Sequence, residues 1–160
     1  MRIITTVCSL ILVSAAAVSV FAQTAPLSER MAATAMNGLY RDAARNESGT
    51  PARWTYDHGV VLKGIEAVWL STGDGKYFKF IQQGIDHFVN DDGTIRTYNL
   101  ADYNLDNIYP GRNLLFLYKV TGQEKYKKAA ALLRDQLKEQ PRTSDGGFWH
   151  KKIYPSQMWL

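Results

Sequence analysis

Two stretches of this chain share one pattern of apolar and polar residues. In each stretch, an apolar run leads into a Thr-Gly pair, a Lys-Tyr pair follows, and apolar residues then recur at spacings of three and four. The pairs lie at Thr72 and Gly73 and again at Thr121 and Gly122, which is 49 residues later. Because such spacings place side chains on one face of a helix, each copy predicts a helical hairpin.

The two helices of each hairpin differ in how they should be buried. The first is apolar on nearly all sides and is expected to lie inside, whereas the second has a polar face and is expected to lie outside. Gly73 and Gly122 suit the left-handed conformation that ends a helix. The predicted inner helices span 58–71 and 108–120, and 27–44 is predicted to be a further outer helix. Alternating layers with this repeat length predict an all-α solenoid or a closed helical toroid.

Two long connections, 90–107 and 140–154, are rich in glycine, polar and aromatic residues. Both run from an outer helix to the start of an inner one, and Pro155 is expected to open that next inner helix. The connections should therefore lie at one end of the structure, and connections of this length are usually functional. Aromatic rings beside carboxylates and amides are typical of sugar sites, and here they include Trp54, Tyr56, Asp106, Asn107, Trp149 and His150.

Composition narrows the possible functions. Apolar residues make up 46% of the chain and charged residues 21%, as in ordinary globular proteins, and the net charge is +4. Lys125, Lys127 and Lys128 fit a solvated helix face better than a nucleic-acid surface, so no nucleic-acid partner is expected. The three histidines are far apart, phosphate loops are absent and Cys8 is the only cysteine. No metal or other cofactor is therefore expected.

Three blocks of the sequence resemble a known family. The chain is similar to the unsaturated rhamnogalacturonyl hydrolases, glycoside hydrolase family 105, which are related to the unsaturated glucuronyl hydrolases of family 88. The resemblance rests on YNLDNI with PGR at 103–112, QPRT with GGFWHK at 140–151, and YPSQMWL at 154–160. It implies an (α/α)6 barrel of twelve helices, of which this chain would form about the first half.

The resemblance also implies an activity and a substrate partner. Such enzymes remove a 4,5-unsaturated uronic acid from the non-reducing end of oligosaccharides that polysaccharide lyases leave, by hydrating the vinyl ether. The implied proton donor is an aspartate directly after Leu160, so the 160 residues by themselves are expected to be inactive. They are also expected to be poorly soluble, because half a barrel would expose apolar flanks of the inner helices.

The same resemblance assigns roles to individual residues. Asp106 matches the family's second active-site aspartate, and Tyr56 and His150 match positions that line the sugar subsite. Trp54 and Trp159 are candidate platforms for sugar stacking. Each has a simpler alternative: Asp106 as a helix cap, His150 as a packed loop residue, Tyr56 as a structural hydrogen-bonding group, and both tryptophans as core. Arg112 is expected to support the Asp106 loop through charge-assisted bonds.

Two other functional classes stay open. One is a glycan-binding toroid without catalysis, which would have a residue other than aspartate after Leu160. The other is a helical scaffold for protein partners, which does not explain aromatic and acidic residues gathered at one end. Neither the exact oligosaccharide nor the oligomeric state follows from the sequence.

The first 22 residues predict export. Arg2 precedes an uncharged stretch with an apolar centre, and the stretch ends in small residues at Val20 and Ala22. This order is typical of a secretory signal peptide, although an uncleaved membrane anchor is the alternative. Residues 23–160 would then form the N-terminal part of a single domain with no membrane attachment.

If the signal is cleaved after Ala22, the mature protein begins at Gln23. N-terminal sequencing of the exported product is expected to start at that residue. Recovery of the protein in a membrane fraction with Met1 intact would contradict the prediction and support the anchor.

Overall fold

The computed structural model describes residues 25–39 and 53–158, so the predicted signal peptide and Trp159 lie outside the described residues. The helices are α1 (Leu27–Thr34, continued by a π-helical turn at Ala35–Leu39), α2 (Tyr56–Thr72), α3 (Gly75–Asp86), α4 (Gly111–Thr121) and α5 (Glu124–Glu139). Short 3₁₀ turns occur at Leu100–Asp102 and Leu105–Asn107. Between 53 and 158, β-structure is limited to two isolated bridges, Val89–Ile95 and Arg142–Phe148.

Both predicted hairpins are confirmed. Gly73 and Gly122 each have φ 69°, and their N–H groups donate to the carbonyls of Trp69 and Tyr118. Glycine takes this left-handed conformation without the steric cost that a Cβ would add. The next helices start at once, and the Asp74 carboxylate caps α3 by accepting from the Lys76 N–H.

The helices alternate between inner and outer positions, as the repeat predicts. α2 packs against α4, α3 contacts both, and α1 packs on α2. Apolar side chains from all four later helices form the core, with Leu62, Ile65, Ile81, Ile85, Leu114, Leu117, Tyr126 and Leu133 almost fully buried. α2 and α4 nevertheless expose other apolar residues, including Leu70 and Leu115 at 67% and 58%. None of the helices within 25–39 and 53–158 is long and apolar enough to cross a membrane.

Two sequence-based expectations were wrong. Pro155 opens no helix within the described residues, because Ser156 has φ 61° and the chain turns back until the Gln157 carbonyl accepts from the His150 N–H. Lys125 is not on a solvated face, since its ammonium pairs with Asp86 on α3 at 2.8 Å and its side chain is only 16% exposed. The second part of the predicted helix 27–44 falls beyond residue 39, outside the described ranges.

A close approach between α2 and the start of α4 requires a glycine. A Cβ built on Gly59 would lie 3.0 Å from the Cα of Pro110 and 3.0 Å from Cδ1 of Tyr109. Contacts this short involve backbone and a packed ring, so the two segments would have to separate. Gly64 lies five residues later on α2, and a Cβ there would meet no atom within 4 Å.

Gly59→Ala is therefore expected to destabilise the fold by about 1–3 kcal/mol, as overpacking usually does. Gly64→Ala makes the same change on the same helix without a clash, and it should stabilise by roughly 0.5–1 kcal/mol because alanine is the better helix former. Urea unfolding of both variants measures the difference. Equal effects at the two positions would refute the close-packing argument.

Candidate active site

The two long connections meet at one end of the structure, as predicted. The Leu105 N–H donates to the His150 carbonyl at 2.9 Å, and the Lys152 N–H donates to the Asp102 carbonyl at 3.2 Å. These backbone bonds join the connection before α4 to the one after α5. Residues 102–107 and 149–152 therefore form a single ordered surface, although they lie far apart in the chain.

Two buried glutamines of the α5 end, Gln136 and Gln140, hold this surface. The Gln140 amide donates to the carbonyls of Tyr103 and Trp149 at 2.7 and 2.8 Å. The Gln136 amide donates to the Asn104 carbonyl and to the Gln140 side-chain oxygen at 3.1 and 3.0 Å. The Gln136 oxygen in turn accepts from the Tyr98 hydroxyl at 2.9 Å, and burial raises the pKa of Tyr98 to about 12. The outer helix thus positions both connections.

Trp54 supports the same surface from the start of α2. Its indole N–H donates to the Asn107 carbonyl and its backbone N–H to the Thr97 hydroxyl, both at 2.8 Å. The residue is 2% exposed and packs edge-on against Phe88. In this geometry Trp54 offers no open ring face for stacking on a sugar, because its ring is part of the core.

Asp106 is the carboxylate at the centre of this surface. Its Oδ1 lies 3.0 Å from Nε2 of His150, and its Oδ2 lies 2.8 Å from the Lys151 ammonium. It does not serve as the helix cap that the sequence left open, because Pro110 precedes α4 without a side-chain cap bond and Asn104 caps the 3₁₀ turn. Both carboxylate oxygens face side chains of the second connection.

The charge of Asp106 is decided by opposing effects. Burial by itself raises the pKa of this carboxyl, since a charged group loses water when it is buried. Hydrogen bonds and positive charge from Lys151 and His150 outweigh burial and hold the pKa below its ordinary value of 3.8. Asp106 is therefore ionised at neutral pH.

Asp106 faces a cleft of about 520 Å³. The lining residues are mostly polar and comprise Arg53, Trp54, Thr55, Thr97, Asp102, Asn104, Asp106, Asn107, Lys151 and Ile153. Hydroxyls, amides and ions of both signs can bond sugar hydroxyls and a uronate carboxylate. The described residues hold no group of three or more His, Cys, Asp or Glu side chains suited to a metal ion.

The other candidate residues within the described ranges do not line this cleft. His150 is 5% exposed and contacts Asp106 through Nε2, and its ring is stacked on Tyr154. Tyr56 is the first residue of α2 and is 51% exposed, but it is not among the residues that line the cleft. Among the described residues Arg112 has no ion pair with Asp106, and its guanidinium lies 5.7 Å from the centre of the Tyr109 ring. Trp159 lies beyond the described residues.

Lys151 is the site residue that sequence reasoning missed as a candidate. It belongs to the quoted GGFWHK block, but Lys152 follows it directly, and nothing local tells the two lysines apart. In the structure only Lys151 reaches Asp106, whereas the Lys152 ammonium lies over the Tyr103 ring at 5.7 Å.

Comparisons with known proteins agree with this fold. The model of the family described as Glycosyl Hydrolase Family 88 matches residues 27–160. The chain belongs to this family. It is 26% identical over 112 residues to the unsaturated rhamnogalacturonyl hydrolase YesR of Bacillus subtilis (strain 168), covering 66% of this chain and 30% of that protein.

A solved structure extends the similarity to the fold of this family 88 member. The glycoside hydrolase from family 105 of C. acetobutylicum ATCC 824 superimposes with a TM-score of 0.73 at 40% identity, covering 83% of this chain and 35% of that one. The expected resemblance to family 105 is confirmed, and the five helices fit part of an (α/α)6 toroid. The chain spans about a third of the length of these two relatives.

Gln140→Ala tests whether α5 holds the two connections together. Two carbonyls would lose their donor, so a loss of about 1–3 kcal/mol in unfolding free energy is expected. Amide hydrogen exchange should accelerate at 102–107 and 149–152 but not in the α2–α3 hairpin. Gln83→Ala removes the same side chain from an exposed position on α3 and should change neither measurement. Equal exchange in both variants would rule out the bridging role.

Proposed function

We propose that this family 88 member is a glycosidase that releases 4,5-unsaturated galacturonic or glucuronic acid from the non-reducing end of lyase-generated pectin oligosaccharides. The observation that carries the proposal is the ionised Asp106 carboxylate, held by His150 and Lys151 at a polar cleft. The activity named for the Bacillus subtilis relative supports this substrate class. Export directed by residues 1–22 is part of the same proposal.

Asp106 acts as an anion in this proposal. A carboxyl whose pKa is held below 3.8 carries no proton at neutral pH, so it is not the general acid. It can accept hydrogen bonds from sugar hydroxyls and so orient the unsaturated ring. Its negative charge also raises the pKa of a neighbouring carboxylic acid, because like charges oppose ionisation.

The proton comes from a second carboxylic acid, which the family resemblance puts directly after Leu160. That acid protonates C4 of the unsaturated ring, the oxygen of a water molecule bonds to C5, and the proton that the water loses returns to the carboxylate left on the acid. The resulting hemiketal collapses and releases the neighbouring sugar. Oriented acceptors such as Asn104 and Asn107, both on the cleft wall, favour one ring orientation for these steps.

Asp106→Asn keeps the shape of the side chain and removes its charge. In the protein expressed from its complete reading frame, kcat/KM for an unsaturated galacturonyl-rhamnose disaccharide is expected to fall by roughly 10²–10³-fold, as when one oriented group is lost from a reacting centre. The loss of ultraviolet absorbance of the unsaturated sugar measures the rate.

Asp135→Asn is the matched control, because Asp135 lies on the exposed face of α5 and pairs with Lys138. It should leave the rate unchanged. Wild-type turnover by the Asp106 variant would show that Asp106 has no catalytic role. Disaccharide binding by the wild-type protein without any turnover would instead favour a glycan-binding toroid.

A further inference from the structure

Two adjacent lysines follow His150, and they face in different directions. The Lys151 ammonium lies 2.8 Å from Oδ2 of Asp106, and both side chains are largely buried, at 25% and 18% exposure. Lys152 is exposed, and its backbone N–H bonds the Asp102 carbonyl while its ammonium lies over Tyr103. Only the first lysine is placed to act on the site carboxylate.

The bond from His150 and the ion pair with Lys151 differ in kind. His150 bonds Oδ1 through a ring nitrogen that is charged only if protonated, whereas the Lys151 ammonium forms an ion pair with Oδ2. The other charged groups that line the cleft, Arg53 and Asp102, have opposite signs. Partly buried pairs are screened less than exposed ones, so the charge of Lys151 acts on Asp106 with little screening.

We propose that Lys151 is a positioning residue of this site: its ammonium pairs with Oδ2 of Asp106 and so holds that carboxylate in one orientation. The Oδ1 oxygen is held by His150, so the two neighbours together set the orientation of the group. The backbone bond from Leu105 to His150 brings the lysine within reach. The benefit for catalysis rests on the proposed glycosidase function, whereas the effect on Asp106 itself does not.

The direct test is the titration of Asp106, followed by ¹³C NMR of its carboxyl carbon and assigned by its absence in Asp106→Asn. The protein is expressed from its complete reading frame. Lys151→Met should shift the Asp106 titration to higher pH, and Lys151→Arg should keep it low. Lys152→Met removes the same charge one residue later and should leave the titration where it is in the wild-type protein.

Specific results of the Asp106 titration would contradict the proposed role of Lys151. The same Asp106 midpoint in the Lys151→Met and Lys152→Met variants would overturn the proposal. If circular dichroism shows that Lys151→Met does not fold, the wild-type protein still decides, because an Asp106 midpoint at or above the ordinary value excludes a controlling ammonium. Lys151→Arg is the folded comparison in that case, and it must keep the wild-type midpoint.

The pH dependence of kcat/KM tests the catalytic consequence. Activity should be lost as pH falls through the pKa of Asp106, so the acid limb should move to higher pH in Lys151→Met and stay in place in Lys152→Met. If the Asp106 titration shifts in Lys151→Met but the acid limb of kcat/KM does not, the link between Lys151 and catalysis is wrong. Absence of turnover in the wild-type protein would refute the proposed function, while the NMR titration would still decide the role of Lys151.

Discussion

Buried carbonyl groups in the two site connections need hydrogen-bond donors, and the end of α5 supplies them. Gln136 and Gln140 together reach three backbone carbonyls, at Tyr103, Asn104 and Trp149, and also bond to each other. A carbonyl left without a partner inside the protein would cost about 1–3 kcal/mol. The position of Asp106 relative to His150 and Lys151 therefore depends on a helix that contributes no residue to the cleft.

The charge of the site follows from that arrangement. Burial alone would raise the pKa of Asp106, and the partners from the other connection bring it below its ordinary value. Burial and the contacts with His150 and Lys151 both act at the cleft. Small movements of residues 150–151 would therefore change the pKa of Asp106. A rigid bridge between the connections is consequently a condition for the lowered pKa of Asp106, as well as for the geometry.

The backbone of the connection before α4 is strained at two residues, and hydrogen bonds hold the strained conformation. Thr97 and Tyr103 have φ 62° and 43°, which for residues with a Cβ costs about 1–3 kcal/mol each. The Thr97 hydroxyl accepts from the Trp54 N–H, and the Tyr103 carbonyl accepts from Gln140. Buried Trp54 and Gln140 thus act through the conformation of the connections, so an aromatic residue beside the cleft can have a structural role.

The sequence by itself determined the helical hairpins, their glycine ends and the shared end of the long connections, because these depend on periodicity and on local φ and ψ preferences. Family resemblance singled out Asp106 and His150, which the structure brings together from 44 positions apart. Only the tertiary structure decided that Lys151 rather than Lys152 meets Asp106, that Trp54 is buried and that Pro155 lies in a turn. Those outcomes depend on how distant segments pack against each other, and this packing cannot be read from the residues that are neighbours in the sequence.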